Sequence, residues 1–77
     1  LGQNEDALSY YKKALAVNDN KFVIPLVLMK AALVSEMQDD YKGALKYYER
    51  IKSDFGDSRE ASDVEKYIAK VEAKMAS

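Results

Sequence analysis

Two stretches of this chain echo one another: EDALSYYKKAL from Glu5 and KGALKYYERIK from Lys42. In each, Ala-Leu is followed one residue later by Tyr-Tyr, and the second copy lies 37 residues after the first. An echo at a period between about 20 and 50 residues marks a chain built by stacking one supersecondary unit. It constrains the fold more than any single residue type does. The tyrosine pairs also raise the idea of an aromatic platform for a ligand. Helix geometry argues against it, because consecutive residues point about 100° apart and both members of a pair cannot face one way. Tyr11 and Tyr48 are expected to fill the core, with Tyr10 and Tyr47 partly exposed on the adjoining flank.

The apolar residues recur mostly at steps of three and four, and one proline and three glycines are the only breaks. The pattern predicts an all-α chain with four helices, near residues 5–17, 22–38, 41–55 and 58–75. Asn4 is placed to cap the first helix, with Glu5 and Asp6 at its positive end. Ala7, Leu8, Tyr11, Ala14 and Leu15 form its apolar face, and Asn18–Asn20 form a turn. Pro25 suits the first turn of the second helix, where a missing N–H costs little. That helix is apolar nearly all round, which implies neighbours on more than one side. Asp39 and Asp40 cap the third helix, which carries Ala44, Leu45, Tyr48 and Ile51. Gly56 stands where a left-handed terminating residue is expected. Asp57 or Ser58 caps the fourth helix, with Asp57 and Glu60 spaced as a capping box. Ala61, Val64, Ile68, Val71 and Met75 give it one packed stripe.

Composition removes several classes of function. The chain has no cysteine and no histidine, so it has neither a disulfide framework nor the usual ligands for zinc, copper or haem. No acidic run has the loop spacing of a calcium-binding hand. No metal or cofactor is expected, and no nucleophile–base pair suggests an enzyme. The net charge of −1 is spread evenly along the chain, which argues against a nucleic-acid footprint. The longest apolar run, Phe22 to Val34, contains Pro25 and Lys30 and is too short to span a bilayer. No membrane contact by this segment is expected. At 77 residues, folding buries only roughly 60% of the surface the unfolded chain exposes, so stability is marginal.

The elements Ala7-x₃-Tyr11 and Ala44-x₃-Tyr48 resemble the A-x₃-F element of the tetratricopeptide repeat, a helix pair of about 34 residues. A small Ala lets two helices approach, and an aromatic one turn later fills the space beside it. The resemblance covers nearly the whole chain. It implies an antiparallel helix-hairpin solenoid in which residues 1–20 end one repeat, 21–56 form a second, and 57–77 are a capping helix. Leu1 and Gly2 are then the tail of a preceding helix. The family's first-helix pattern maps onto Leu28, Ala31, Ala32 and Ser35, where only the size class survives, and the family's closing proline is replaced by Asp19 and Gly56. EKYIAKVEAKM with the Phe22–Val34 run also resembles the C-terminal ends of bacterial, membrane-tethered members similar to the periplasmic ancillary subunit of the Sec translocon. That narrower likeness implies a cell-envelope setting, on the periplasmic side of a tether.

The family resemblance implies a protein or peptide partner held on the concave face of the first helix of the repeat. The matching positions here are Leu26, Met29, Lys30, Leu33, Glu36 and Met37, apolar side chains framed by two charges that suit an apolar segment of a partner. The competing expectation is that these residues pack against the fourth helix or a neighbouring chain. Members that clamp a carboxylate tail use Lys and Asn at several of these positions. Met29 and Leu33 replace two of them here, so that activity is not expected. One and a half repeats plus a cap are fewer than such arrays need, so pairing with a second copy is expected. Lys66, Lys70 and Lys74 form a short basic stripe. With Asp63, Glu65 and Glu72 interleaved, a solvated mixed-charge face is the expected reading. DDYKG and DFGD are expected to be ordinary helix-turn chemistry.

Overall fold

The computed structural model describes the backbone of residues 2–17 and 19–77, and side chains from residue 5 onward with the same gap at 18. Four helices account for the regular structure: α1 (Gly2–Val17), α2 (Val23–Met37), α3 (Tyr41–Asp54) and α4 (Ala61–Ala76), with no strand among the described residues. Each helix packs on the one before and the one after it. With turns this short, consecutive helices run antiparallel. The molecule is a slab of 36 × 31 × 13 Å, thin enough for two layers of helices at a spacing of about 8–10 Å. An ion pair between Lys70 of α4 and Glu36 of α2 links those two helices across α3.

The helix ends show which sequence signals decide the boundaries. α1 starts at Gly2, so Asn4 lies inside the helix rather than capping it, and Asn18 of the expected turn lies outside the described residues. Ahead of α2, the Asn20 side chain accepts hydrogen bonds from the N–H groups of Phe22 (2.8 Å) and Val23 (3.2 Å). Its carbonyl accepts from Val23 and Ile24. Asn20 is therefore the working cap, which leaves Pro25 in the opening of the helix. At the front of α3, Asp40 Oδ1 accepts from the Gly43 N–H at 3.0 Å. The space a Gly43 side chain would fill is occupied by that same carboxylate, with Oδ2 2.3 Å from an ideal Cβ.

The turn between α2 and α3 holds the one left-handed residue among those described, and it is Asp39 (φ 60°). The Asp39 N–H donates to the Glu36 carbonyl (2.9 Å), and the Asp40 N–H donates to the Ser35 carbonyl (2.8 Å). This pair of bonds is the Schellman closure, which satisfies the last carbonyls of a helix when the residue after the cap turns left-handed. Asp40 thus closes α2 with its N–H and opens α3 with its carboxylate. Gly56, expected to be left-handed, is not. α3 ends instead with the Phe55 N–H on Ile51, followed by a tight bond from the Ser58 N–H to the Phe55 carbonyl. α4 begins at Ala61, three residues later than expected, and Ser58 Oγ caps it by accepting from the Ala61 N–H at 3.2 Å.

The core is formed by α2, α3 and α4. Ile24, Leu28 and Ala32 from α2 meet Ala44, Tyr48 and Ile51 from α3 and Val64, Ile68 and Val71 from α4. The helical spacing of each set puts its members on one face, and each face meets the next helix. Tyr48 is fully buried, as the Ala-x₃-Tyr element predicts, and Tyr47 packs half-buried at the edge of the same cluster. The first copy of the echo behaves differently. Ala7 and Tyr11 are only half-buried, and Tyr10 is 69% exposed. No residue of α1 from Glu5 to Val17 is buried.

Candidate functional site

α2 has neighbours on two sides and water on a third. Leu26 (46% exposed), Lys30, Leu33 (38%) and Met37 (67%) follow one another at steps of four, three and four, so they form a single ridge along the open side. Of the six groove positions read from the sequence, these four are brought together. Met29 is half-buried and rests against the core. Glu36, expected to frame the groove as a free charge, is buried and committed elsewhere.

Glu36 holds three helices together. Its Oε2 accepts a hydrogen bond from the Tyr48 hydroxyl at 2.5 Å, and its Oε1 lies 3.3 Å from Lys70 Nζ. A buried carboxylate is tolerated only when it is paired and hydrogen-bonded, and here both conditions are met. Burial, and then the bond to Glu36, push the Tyr48 hydroxyl well above the usual phenol range. It stays protonated and donating through any ordinary pH. Ser35 Oγ, one residue back, is buried without a hydrogen-bond partner among the described residues.

The sequence reading did not single out Tyr67. Its ring stacks on Tyr48 with centroids 5.5 Å apart and planes 10° off parallel. Lys66 and Lys70 lie over the Tyr67 ring at 5.7 and 5.5 Å, and Lys74 lies over Tyr41 at 5.7 Å. Tyr41 in turn donates its hydroxyl to Asp39 Oδ1 at 3.0 Å, and that bond raises its pKa. The available signal was position: Tyr67 adjoins Ile68 and follows Val64 by three, at the edge of the packed stripe of α4.

Asp63, Glu65, Lys66, Lys70, Glu72 and Lys74 are all exposed, as a solvated face requires, but Glu65 and Glu72 are sorted away from the lysines. Glu65 reaches the opposite flank, where it pairs with Lys52 of α3 at 2.5 Å, and that bond raises the Lys52 pKa. Glu72 adds to the field at Lys52 from the same side. Lys66, Lys70 and Lys74 lie on the flank towards α2. Of these three lysines only Lys70 has a carboxylate partner among the described residues. At about 100° per residue the three lysines, at steps of four, share one side of α4, while Glu65 and Glu72, seven residues apart, share another, so residues interleaved in sequence are separated in space.

Each end of the α2 ridge opens into a concavity. At the Met37 end, about 700 Å³ lies between that side chain and Leu8, Ser9 and Lys12 of α1. At the Leu26 end, about 730 Å³ lies against Phe22, Phe55 and Arg59 beside the α3–α4 turn. Phe22 there is 88% exposed. Among the described residues no three acidic side chains converge to hold a metal, and no helix is long and apolar enough to cross a membrane. Against protein-family models, curated proteins and solved structures, the chain has no match.

Proposed function

We propose that this chain is a non-enzymatic protein–protein interaction scaffold of the tetratricopeptide type, which takes a segment of a partner protein along the ridge of α2. The observation that carries this reading is the ridge itself. Three large apolar side chains face water on a helix whose other sides are buried, and the ridge joins two concavities that an extended or helical segment can enter. The repeat type is supported by the four positions matched to the family's first-helix pattern. Leu28, Ala31, Ala32 and Ser35 are all buried, as are Ala44 and Tyr48 of the A-x₃-aromatic element. Consecutive packing of each helix on its neighbours is the further support for a solenoid segment.

A second reading, self-association, is favoured by α1. Leu8, Tyr11 and Leu15 are only half-covered by α2, and a second copy would cover them further. The double substitution Leu33→Glu with Met37→Glu separates the readings. For a docking ridge, helicity and the urea midpoint stay near those of the unmodified chain, while capture of a protein partner on immobilised chain is lost. Unfolding of the variant would make the ridge part of the packing instead. A concentration-dependent mass in sedimentation, abolished by Leu8→Glu and untouched by the ridge pair, would favour self-association.

A further inference from the structure

The proposed ridge lies beside an unusual flank of α4. Lys66, Lys70 and Lys74 line one exposed flank of α4, Lys70 reaches Glu36 of α2, and each ammonium lies over a tyrosine ring, 5.5–5.7 Å from its centroid. A lysine laid on an aromatic face loses rotamer freedom in advance, so less is lost when it meets an anion. The acids of α4 that would neutralise these lysines are turned away: Glu65 is taken by Lys52, and Glu72 faces the same flank. Glu36 is consumed by Tyr48 and Lys70, and Asp39 accepts from Tyr41. Among the described residues Lys66 and Lys74 have no carboxylate partner, and exposed Lys30 stands in the middle of the ridge. Asp63, exposed and three residues before Lys66, is the acid of α4 that stays on this flank, and the Asp39 carboxylate keeps its charge beside Tyr41.

Resting on the ridge reading above, we propose that the partner is an acidic amphipathic segment: its apolar residues seat on Leu26, Leu33 and Met37, and its carboxylates meet Lys66 and Lys74. Charge complementarity makes this choice, because the apolar ridge alone accepts any apolar segment and a basic one would meet like charge. Lys70 is kept by Glu36 and acts as the fixed point between the two rows. The tyrosine rings hold the lysines out along the flank at spacings of one helical turn.

The test is binding of a labelled amphipathic peptide of about 15 residues, with a leucine stripe flanked by glutamates, followed by fluorescence anisotropy. The expected result is saturable binding that weakens as salt rises. Lys66→Gln with Lys74→Gln weakens it about tenfold without loss of helicity. Lys42→Gln with Lys46→Gln makes the same change in net charge from exposed, unpaired positions on α3, and leaves binding unchanged. A peptide with lysines in place of the glutamates does not bind. Equal binding of the two peptides, or equal loss from both lysine pairs, would overturn the acidic-partner proposal. So would binding to phosphatidylserine vesicles in place of the peptide. If Leu33→Glu with Met37→Glu abolishes binding while the Lys66/Lys74 pair does not, the ridge stands and the charge proposal fails. If neither pair matters, both fail.

Discussion

α1 and α4 are both terminal helices, each 16 residues long and each packed on a single chain neighbour. Their burial differs sharply. α4 buries Val64, Ile68 and Val71, and is tied on one flank by Lys70–Glu36 and on the other by Lys52–Glu65. α1 buries nothing from Glu5 to Val17, and only Leu15 reaches the edge of the core cluster. The difference lies in what each helix meets. α4 sets β-branched residues against the Ala44–Tyr48–Ile51 face of α3, whereas α1 sets half-covered Leu8, Tyr11 and Leu15 against an α2 that has already turned its best face to α3. A helix can be amphipathic and of full length and still contribute little, because tertiary cover rather than propensity supplies most helical stability. The molecule thus has a finished half, α2 to α4, and an unfinished half, α1 with the open ridge of α2.

The sharpest way to break that comparison is a matched pair of leucine truncations. Leu28 is fully buried in the finished half, so Leu28→Ala is expected to cost about 3 kcal/mol. In a domain this small such a loss leaves much of the chain unfolded at room temperature. Leu8→Ala in α1 is expected to cost under about 1 kcal/mol, since the side chain is already half in water. Urea titrations read both, and equal costs would erase the distinction between the halves.

Next in size is Tyr48→Phe, which leaves the buried Glu36 carboxylate with Lys70 alone. Loss of a hydrogen bond to a charged group predicts about 2 kcal/mol of destabilisation, again by urea titration. A change near zero would mean that Glu36 does not need the phenol.

The same network predicts a pH dependence. Tyr48, Tyr47 and Tyr41 all have pKa values raised by folding: Tyr48 and Tyr47 chiefly by burial, Tyr41 chiefly by the bond to Asp39. A raised folded-state value means the folded form holds the proton longer than the unfolded form does. The associated stability is therefore fully present below the unfolded phenol value of about 10, and is lost as pH rises beyond it. Thermal melting points should hold through neutral pH and fall above about pH 10, less steeply in Tyr48→Phe. A profile of the same slope in both proteins would remove Tyr48 from the account.

The smallest expected effect is a gain. Asp39 carries a left-handed backbone at the α2–α3 turn, so Asp39→Gly should stabilise by about 0.5 kcal/mol after loss of the Tyr41 contact. A destabilised Asp39→Gly would show that the Tyr41 bond outweighs the backbone relief.

The four helices were legible because their apolar spacing is set by the core they enter, as Val64, Ile68 and Val71 illustrate. The Asp40 cap was legible because its cause is local. The left-handed residue was misplaced, to Gly56 rather than Asp39, because the Schellman closure follows from how tightly α3 must double back on α2, which composition does not reveal. Of the groove positions, Leu26, Lys30, Leu33 and Met37 share a face by helical period alone. Glu36 was misjudged because its partners come from two other helices. The lysine flank was visible as a pattern of fours. Its separation from Glu65 and Glu72 follows from the helical period as well, and what the rotation of α4 against α3 adds is the pairing of Glu65 with Lys52.

Native-state hydrogen exchange, resolved by residue, tests the division of the molecule most directly. Core amides of α2, α3 and α4 are expected to exchange only through global unfolding, while α1 amides from Tyr10 to Leu15 exchange through a smaller opening at least about tenfold sooner. Uniform protection across all four helices, with α1 at the global limit, would contradict it.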